Sequence, residues 1–121
     1  MCWNEISKRI DNEIKVGTKI PKTDGKNRTV TKKVGTRIYI RTGINTHAEK
    51  YTTKEMIQYA YDTIKSGKSF TSAVLKSKFP QEYKQGSCVF SMTGGILAVL
   101  GLAKYTRKRG YTSVNNKDGG K

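Results

Sequence analysis

Gln85 to Val114 reads QGSCVFSMTGGILAVLGLAKYTRKRGYTSV, the most apolar stretch of a strongly polar chain. From Ser87 to Leu100, the residues Val89, Phe90, Ile96, Leu97 and Leu100 recur at helical spacing, with Thr93 in the same stripe. Gly101 follows, where a left-handed cap ends a helix. Leu102 to Thr106 then reads as a strand, Arg107-Lys108-Arg109-Gly110 as a turn, and Tyr111 to Val114 as a returning strand. The stretch therefore predicts a helix and a hairpin with a cationic tip, Tyr105 facing Tyr111 across the strands. No charged residue lies between Ser87 and Gly101. Gly94-Gly95 weakens the helix by about 1 kcal/mol per glycine and suggests close approach to a backbone, of nucleic acid or of another protein element.

Upstream, Thr52-Thr53-Lys54-Glu55 has the form of a capping box with Thr52 as N-cap, and Tyr51 and Met56 stand at staple spacing. Ile57, Ala60, Tyr61 and Ile64 continue a buried stripe that Ser66-Gly67 stops. Phe70 and Leu75 bracket Thr71 in the same way, which predicts a second, short helix over Thr71 to Lys78 with Pro80 just beyond it. Gln81 to Gly86 reads as a polar connector. Tyr61 and Tyr51 are expected in the core.

The N-terminal part changes period twice. Trp3, Ile6, Ile10 and Ile14 form a narrow helical stripe that Gly17 ends. Thr18 to Lys22, Arg28 to Val34 and Arg37 to Arg41 then read as strands, separated by turns at Asp24-Gly25 and Gly35. In the clearest of them, Ile38 and Ile40 share one face and Arg37, Tyr39 and Arg41 the other. Thr42 to Lys50, with Gly43, Asn45 and His47, reads as a loop. The fold class is thus α+β: an N-terminal helix and a three-stranded antiparallel meander (residues 1–50), then three helices and a hairpin (51–114), together one compact domain. Asn115 to Lys121 has no apolar residue and reads as a disordered tail.

Charge narrows the function. Twenty-four Lys and Arg against nine Asp and Glu give a formal +15 over 121 residues, for which a polyanion is the natural counterpart. Between Lys15 and Arg41 stand nine basic residues and one acid, Asp24. A sheet face with Arg37, Tyr39 and Arg41 can contact phosphates and stack on a base, although cations on a small sheet also discourage edge-to-edge pairing.

Chemistry is harder to place. Two cysteines, Cys2 and Cys88, and a single histidine, His47, supply neither a disulfide framework nor a four-ligand zinc site. Gly67-Lys68-Ser69 resembles the end of a phosphate loop, but position 62, where the upstream glycine belongs, is Asp62. Glu13-Ile14-Lys15 lies on an apparent helix and precedes the only nearby strand acid, Asp24, the wrong order for a metal-dependent nuclease. No catalytic residue, metal site or cofactor is nominated, and the expectation is a protein without enzymatic activity. No apolar run approaches the roughly 18 residues of a membrane span, and charges stand where a signal peptide needs its apolar region. A cytoplasmic protein is expected, in the nucleoid or nucleus if bound to DNA.

In its order of three helices and a basic-tipped hairpin, the segment 51–114 resembles the winged-helix class of DNA-binding domains. The resemblance implies that the third helix enters the major groove with Ser87, Ser91, Thr93 and Gly94 facing it, and that the hairpin is the wing. Joined to the charge pattern, it gives an expected contact set of Lys19, Lys22, Lys26, Arg28, Lys32, Lys33, Arg37, Tyr39, Arg41, Ser87, Ser91, Lys104, Arg107, Lys108 and Arg109. The expected partner is nucleic acid, double-stranded DNA ahead of RNA, held through phosphates with weak sequence preference and a role such as transcription regulation. Two alternatives stay open: an RNA-binding or ribosome-associated factor, and an adaptor or inhibitor docking on an acidic protein surface through the small-residue face of Ser87 to Ala98.

Overall fold

A computed structural model describes residues 2–23, 26–41 and 49–114. The Asp24-Gly25 turn, the segment holding Gly43, Asn45 and His47, and the tail from Asn115 lie outside the described residues.

Trp3–Glu13 form helix α1, which buries Ile6 and Ile10 with Ile14 just beyond its end. Four strands follow as one antiparallel sheet in the order β1-β2-β3-β4: β1 Lys19–Pro21, β2 Asn27–Val34, β3 Arg37–Arg41 and β4 Glu49–Thr53. The expected meander of three strands is therefore one strand short. Its missing member lies partly in the stretch read as loop and partly in the predicted helix cap. Tyr51, Thr52 and Thr53 are strand formers, and they pair with Tyr39, Ile38 and Arg37. The cap consequently moves by one residue. Thr53, rather than Thr52, accepts the Met56 N–H at 3.1 Å.

Alternation sorts the sheet into two faces. Ile20, Val30, Ile38, Ile40 and Thr52 point inward and are buried, while Lys19, Arg37 and Arg41 stay exposed. β2 alternates poorly because its register slips between Val30 and Lys32, a bulge centred on Thr31. The slip puts Lys32 opposite Tyr39 and Lys33 opposite Ile38.

Lys54–Lys65 (α2), Ser72–Lys78 (α3), Pro80–Tyr83 (α4) and Cys88–Val99 (α5) complete the helices, and Ala103–Thr106 (β5) pairs with Gly110–Ser113 (β6) as the hairpin. Pro80 opens α4 at its first turn, where a missing N–H costs nothing, so part of the expected connector is helical. Phe70, between α2 and α3, bridges to Tyr111 in both directions: the Phe70 N–H donates to the Tyr111 carbonyl at 2.8 Å, and the Tyr111 N–H donates to the Phe70 carbonyl at 3.0 Å.

Helix α5 sits at the centre. Val89, Ser91, Met92, Thr93, Gly94, Gly95, Ile96 and Leu97 are all buried, so it is covered on every side, as an uncharged helix must be. It packs on β1 and β4 of the sheet's inner face, on α2 and on the hairpin. The two glycines allow this. A Cβ on Gly94 would lie 2.1 Å from Tyr111 Cε2, and one on Gly95 would lie 2.7 Å from Ile20 Cγ2 and 2.8 Å from the Pro21 carbonyl oxygen. The backbone they approach is the protein's own. The helix ends as its sequence predicts: Gly101 is left-handed at φ +78°, its N–H donates to Ala98, and the Leu102 N–H reaches back to Leu97 at 2.9 Å. Arg9 of α1 donates to the Leu100 carbonyl at 2.8 Å, placing a cation at the negative end of α5. One apolar core runs from Ile6 through Ile38 to Tyr111, and β4 crosses residue 50, so the segments 1–50 and 51–114 share a single interior.

Candidate nucleic-acid interface

The expected contact residues fall into three groups. The first lies on the outer face of the sheet. Lys19, Lys32, Arg37 and Arg41 are exposed there, Tyr39 is half-buried between them, and Glu49 is the acid opposite Arg41. The register builds a cluster around the tyrosines. Tyr39 stands directly opposite Tyr51, with ring centroids 5.6 Å apart and planes at 49°. The Arg37 guanidinium lies 4.3 Å from the Tyr51 ring centroid, and its Nη1 donates to the Tyr39 hydroxyl at 3.2 Å. That hydrogen bond, with both phenols nearby, pushes the arginine still further above its ordinary value, so it is a fixed cation. Lys32 Nζ lies 4.7 Å from the Tyr39 centroid and 4.0 Å from the Glu49 carboxylate, while Lys19 Nζ donates to Thr29 Oγ1 at 2.9 Å.

Tyr51 is therefore not a core residue. It shares the outer face with Tyr39, and no expected contact set included it. The run of strand formers Tyr51-Thr52-Thr53 carries this signal, but the capping-box pattern overlaps the same residues and competes with it. Lys22 and Lys26 flank the first turn, joined by a Lys22 N–H to Lys26 carbonyl bond of 2.7 Å; Lys26 is exposed and Lys22 half-buried.

The hairpin tip is the second group. Lys104, Arg107, Lys108 and Arg109 are exposed, as is the whole run from Lys104 to Arg109. The Arg109 N–H donates to Thr106 Oγ1 at 3.2 Å and Gly110 takes φ +76°, which closes a tight three-residue loop. The tip displays three exposed cations. Behind it Tyr105 and Tyr111 pair as expected, ring centroids 5.2 Å apart.

The third group is inside, and here the sequence reading is corrected. Arg28 is only 8% exposed and donates to Ser91 Oγ at 2.8 Å, so neither residue meets a ligand from the surface. Inward alternation on β2 carries Arg28 under the sheet, and the crowded side of α5 holds Ser91. Lys33, turned inward by the bulge, donates to the Ile10 carbonyl at 3.4 Å; burial pulls its ammonium below the usual lysine range, with Asp11 opposing. Thr93 is buried, hydrogen-bonded to Thr52 at 2.6 Å and to the Val89 carbonyl. Of the face expected to meet a groove, Ser87 alone is exposed. Burial, with a smaller contribution from Tyr105, pushes the Tyr111 phenol up to about 12, so it stays protonated and donates to the Ser91 carbonyl at 3.4 Å.

Among the described residues no group of three or more His, Cys, Asp and Glu is placed to hold a metal ion, and no helix is long and apolar enough to cross a membrane. Comparison of the chain with protein-family models, with curated proteins and with solved structures returned no match.

Proposed function

We propose that this is a nucleic-acid-binding protein that grips the sugar–phosphate backbone with two basic surfaces, the outer face of the sheet and the tip of the hairpin, and has no enzymatic role. The observation that carries the reading is the exposure of Lys19, Lys32, Arg37 and Arg41 on one sheet face, where Glu49 is the acid on the described strands and Glu82 adds a weaker field at Arg37. Cations spread over a flat surface neutralise phosphates without reading base edges, which gives affinity with weak sequence preference. The element order on which the winged-helix resemblance rests is here α2, Phe70 bridge, α3, α4, α5, hairpin, with the short α4 added between the helices. The hairpin takes the part of the wing. The helix that the resemblance would send into a groove is interior here, so the preference for a duplex loses its main argument. The adaptor reading loses its contact face for the same reason, since Ser91, Thr93, Gly94 and Gly95 already pack against the protein's own β1, β4 and Tyr111.

Salt titration tests the proposal. With about six phosphates contacted, log affinity for a random-sequence DNA or RNA should fall against log salt with a slope of about −5. A flat dependence would remove the proposal altogether. Comparing DNA and RNA probes of equal length separates a DNA-binding role from a ribosome-associated one. Reversing the tip, Arg107→Glu with Arg109→Glu, should weaken binding about tenfold across unrelated sequences and reduce the slope by about two. Unchanged affinity would confine the interface to the sheet.

A further inference from the structure

Within that phosphate-binding reading, on which this inference rests, we propose that Tyr39, Tyr51 and Arg37 form a base-stacking platform and that the preferred ligand is a single-stranded or unpaired segment. Three observations converge on it. The two tyrosines are cross-strand neighbours on the exposed face, their rings 5.6 Å apart. Arg37 lays its guanidinium over Tyr51 at 4.3 Å and is pinned to the Tyr39 hydroxyl at 3.2 Å, so it presents a second planar face in a held position. Lys32 lies over the Tyr39 ring at 4.7 Å and within 4.0 Å of Glu49, and Lys19 and Arg41 are exposed on the same sheet face.

Bases stack on tyrosine rings and guanidinium planes alike, and phosphates go to the flanking cations. A duplex keeps its bases stacked on one another, so it offers this surface phosphates alone. A major groove admits a helix or a two-stranded ribbon. The platform instead lies on a four-stranded sheet, with the one uncharged helix sealed beneath it. A single strand uses both parts of the surface, the rings and the cations.

Two probes read this out: a labelled mixed-sequence DNA strand of about 16 nucleotides, long enough to fill a typical site, and its duplex. Each is titrated with the full chain at matched salt, and an RNA strand of the same sequence runs in parallel. The wild-type protein should bind the strand at least tenfold more tightly than the duplex. Tyr39→Leu with Tyr51→Leu should weaken strand binding about 30-fold, the effect of two lost stacking contacts, while duplex affinity and its salt slope stay within about twofold. Tyr51→Phe keeps the ring and leaves the Arg37–Tyr39 hydrogen bond in place, and should keep strand affinity. Equal losses on strand and duplex would mean that the rings only support the sheet, and the platform falls. Duplex binding as tight as strand binding also overturns it, while steep salt dependence on either probe would leave the phosphate reading standing. No binding to any probe removes both.

A further readout needs no variant. Photocrosslinking the wild-type protein to a strand carrying 5-iodouracil should attach it to peptides containing Tyr39 or Tyr51. Crosslinks confined to the hairpin peptide would refute the platform.

Discussion

Gly94→Ala should destabilise the protein by about 2–3 kcal/mol, although alanine is the better helix former by about 1 kcal/mol. The added methyl would lie 2.1 Å from Tyr111 Cε2 and 2.3 Å from Cδ2, well inside contact distance. The ring has little room to retreat. Its centroid stands 5.2 Å from those of Phe90 and Tyr105 and 6.5 Å from that of Phe70, and its backbone is bridged to Phe70. Urea denaturation should show a lower midpoint at unchanged m-value. In a Tyr111→Leu background the same substitution should cost at least 1 kcal/mol less, because the clashing atoms are gone. Additive effects would mean that α5 and the hairpin do not meet where the structure puts them.

The second large effect concerns binding. Arg37→Glu with Arg41→Glu should weaken nucleic-acid affinity on the order of 100-fold at low salt and lower the salt slope by about two. Net charge alone would explain part of any such loss, so the comparison that matters is a reversal elsewhere. Lys68→Glu with Lys76→Glu changes the total charge by the same amount at two exposed positions outside the sheet. If the sheet face is the interface, the second pair should cost less than about fivefold. Equal losses would mean that the +15 charge acts as a diffuse field with no preferred surface.

Much of this architecture is legible in the residues. The helix over 88–99, its left-handed stop at Gly101 and the Tyr105–Tyr111 pairing follow from local chemistry, because each depends on neighbours in sequence. The place of that helix does not. Its lack of charge is the mark of an interior helix, but analogy of element order points the same residues outward. The Gly94-Gly95 pair carries the right message, close approach of a backbone, without naming the backbone. β4 is hidden because two patterns overlap on Thr52-Thr53, a strand ending and a helix beginning. Local rules cannot decide which threonine caps when pairing with β3 is what decides it.

The candidate site divides in the same way. Arg37, Tyr39 and Arg41 are found by simple alternation, and the tip cations by composition. Arg28 and Lys33 are misplaced for different reasons. Arg28 obeys alternation, but a charged residue counts as exposed until a partner such as Ser91 is known. Lys33 is turned by a bulge that no residue in β2 announces. Tyr51 is absent from the expected set because a staple role accounts for it equally well.

A sheet has no intrinsic last strand, since each edge offers the next chain the same row of donors and acceptors. Here β1 ends in Pro21, which has no N–H to offer, and β4 is closed by a side chain. The Gln85 amide receives the Tyr51 N–H at 2.9 Å and returns a bond to the Tyr51 carbonyl at 3.0 Å, standing in for one peptide unit of a fifth strand. On the proposed reading, a long polyanion would line up many copies at high local density, with their sheets side by side. With those edge groups taken, such copies would lie along the strand without pairing edge to edge. The Gln85 side chain occupies the Tyr51 donor and acceptor that another chain's strand would use.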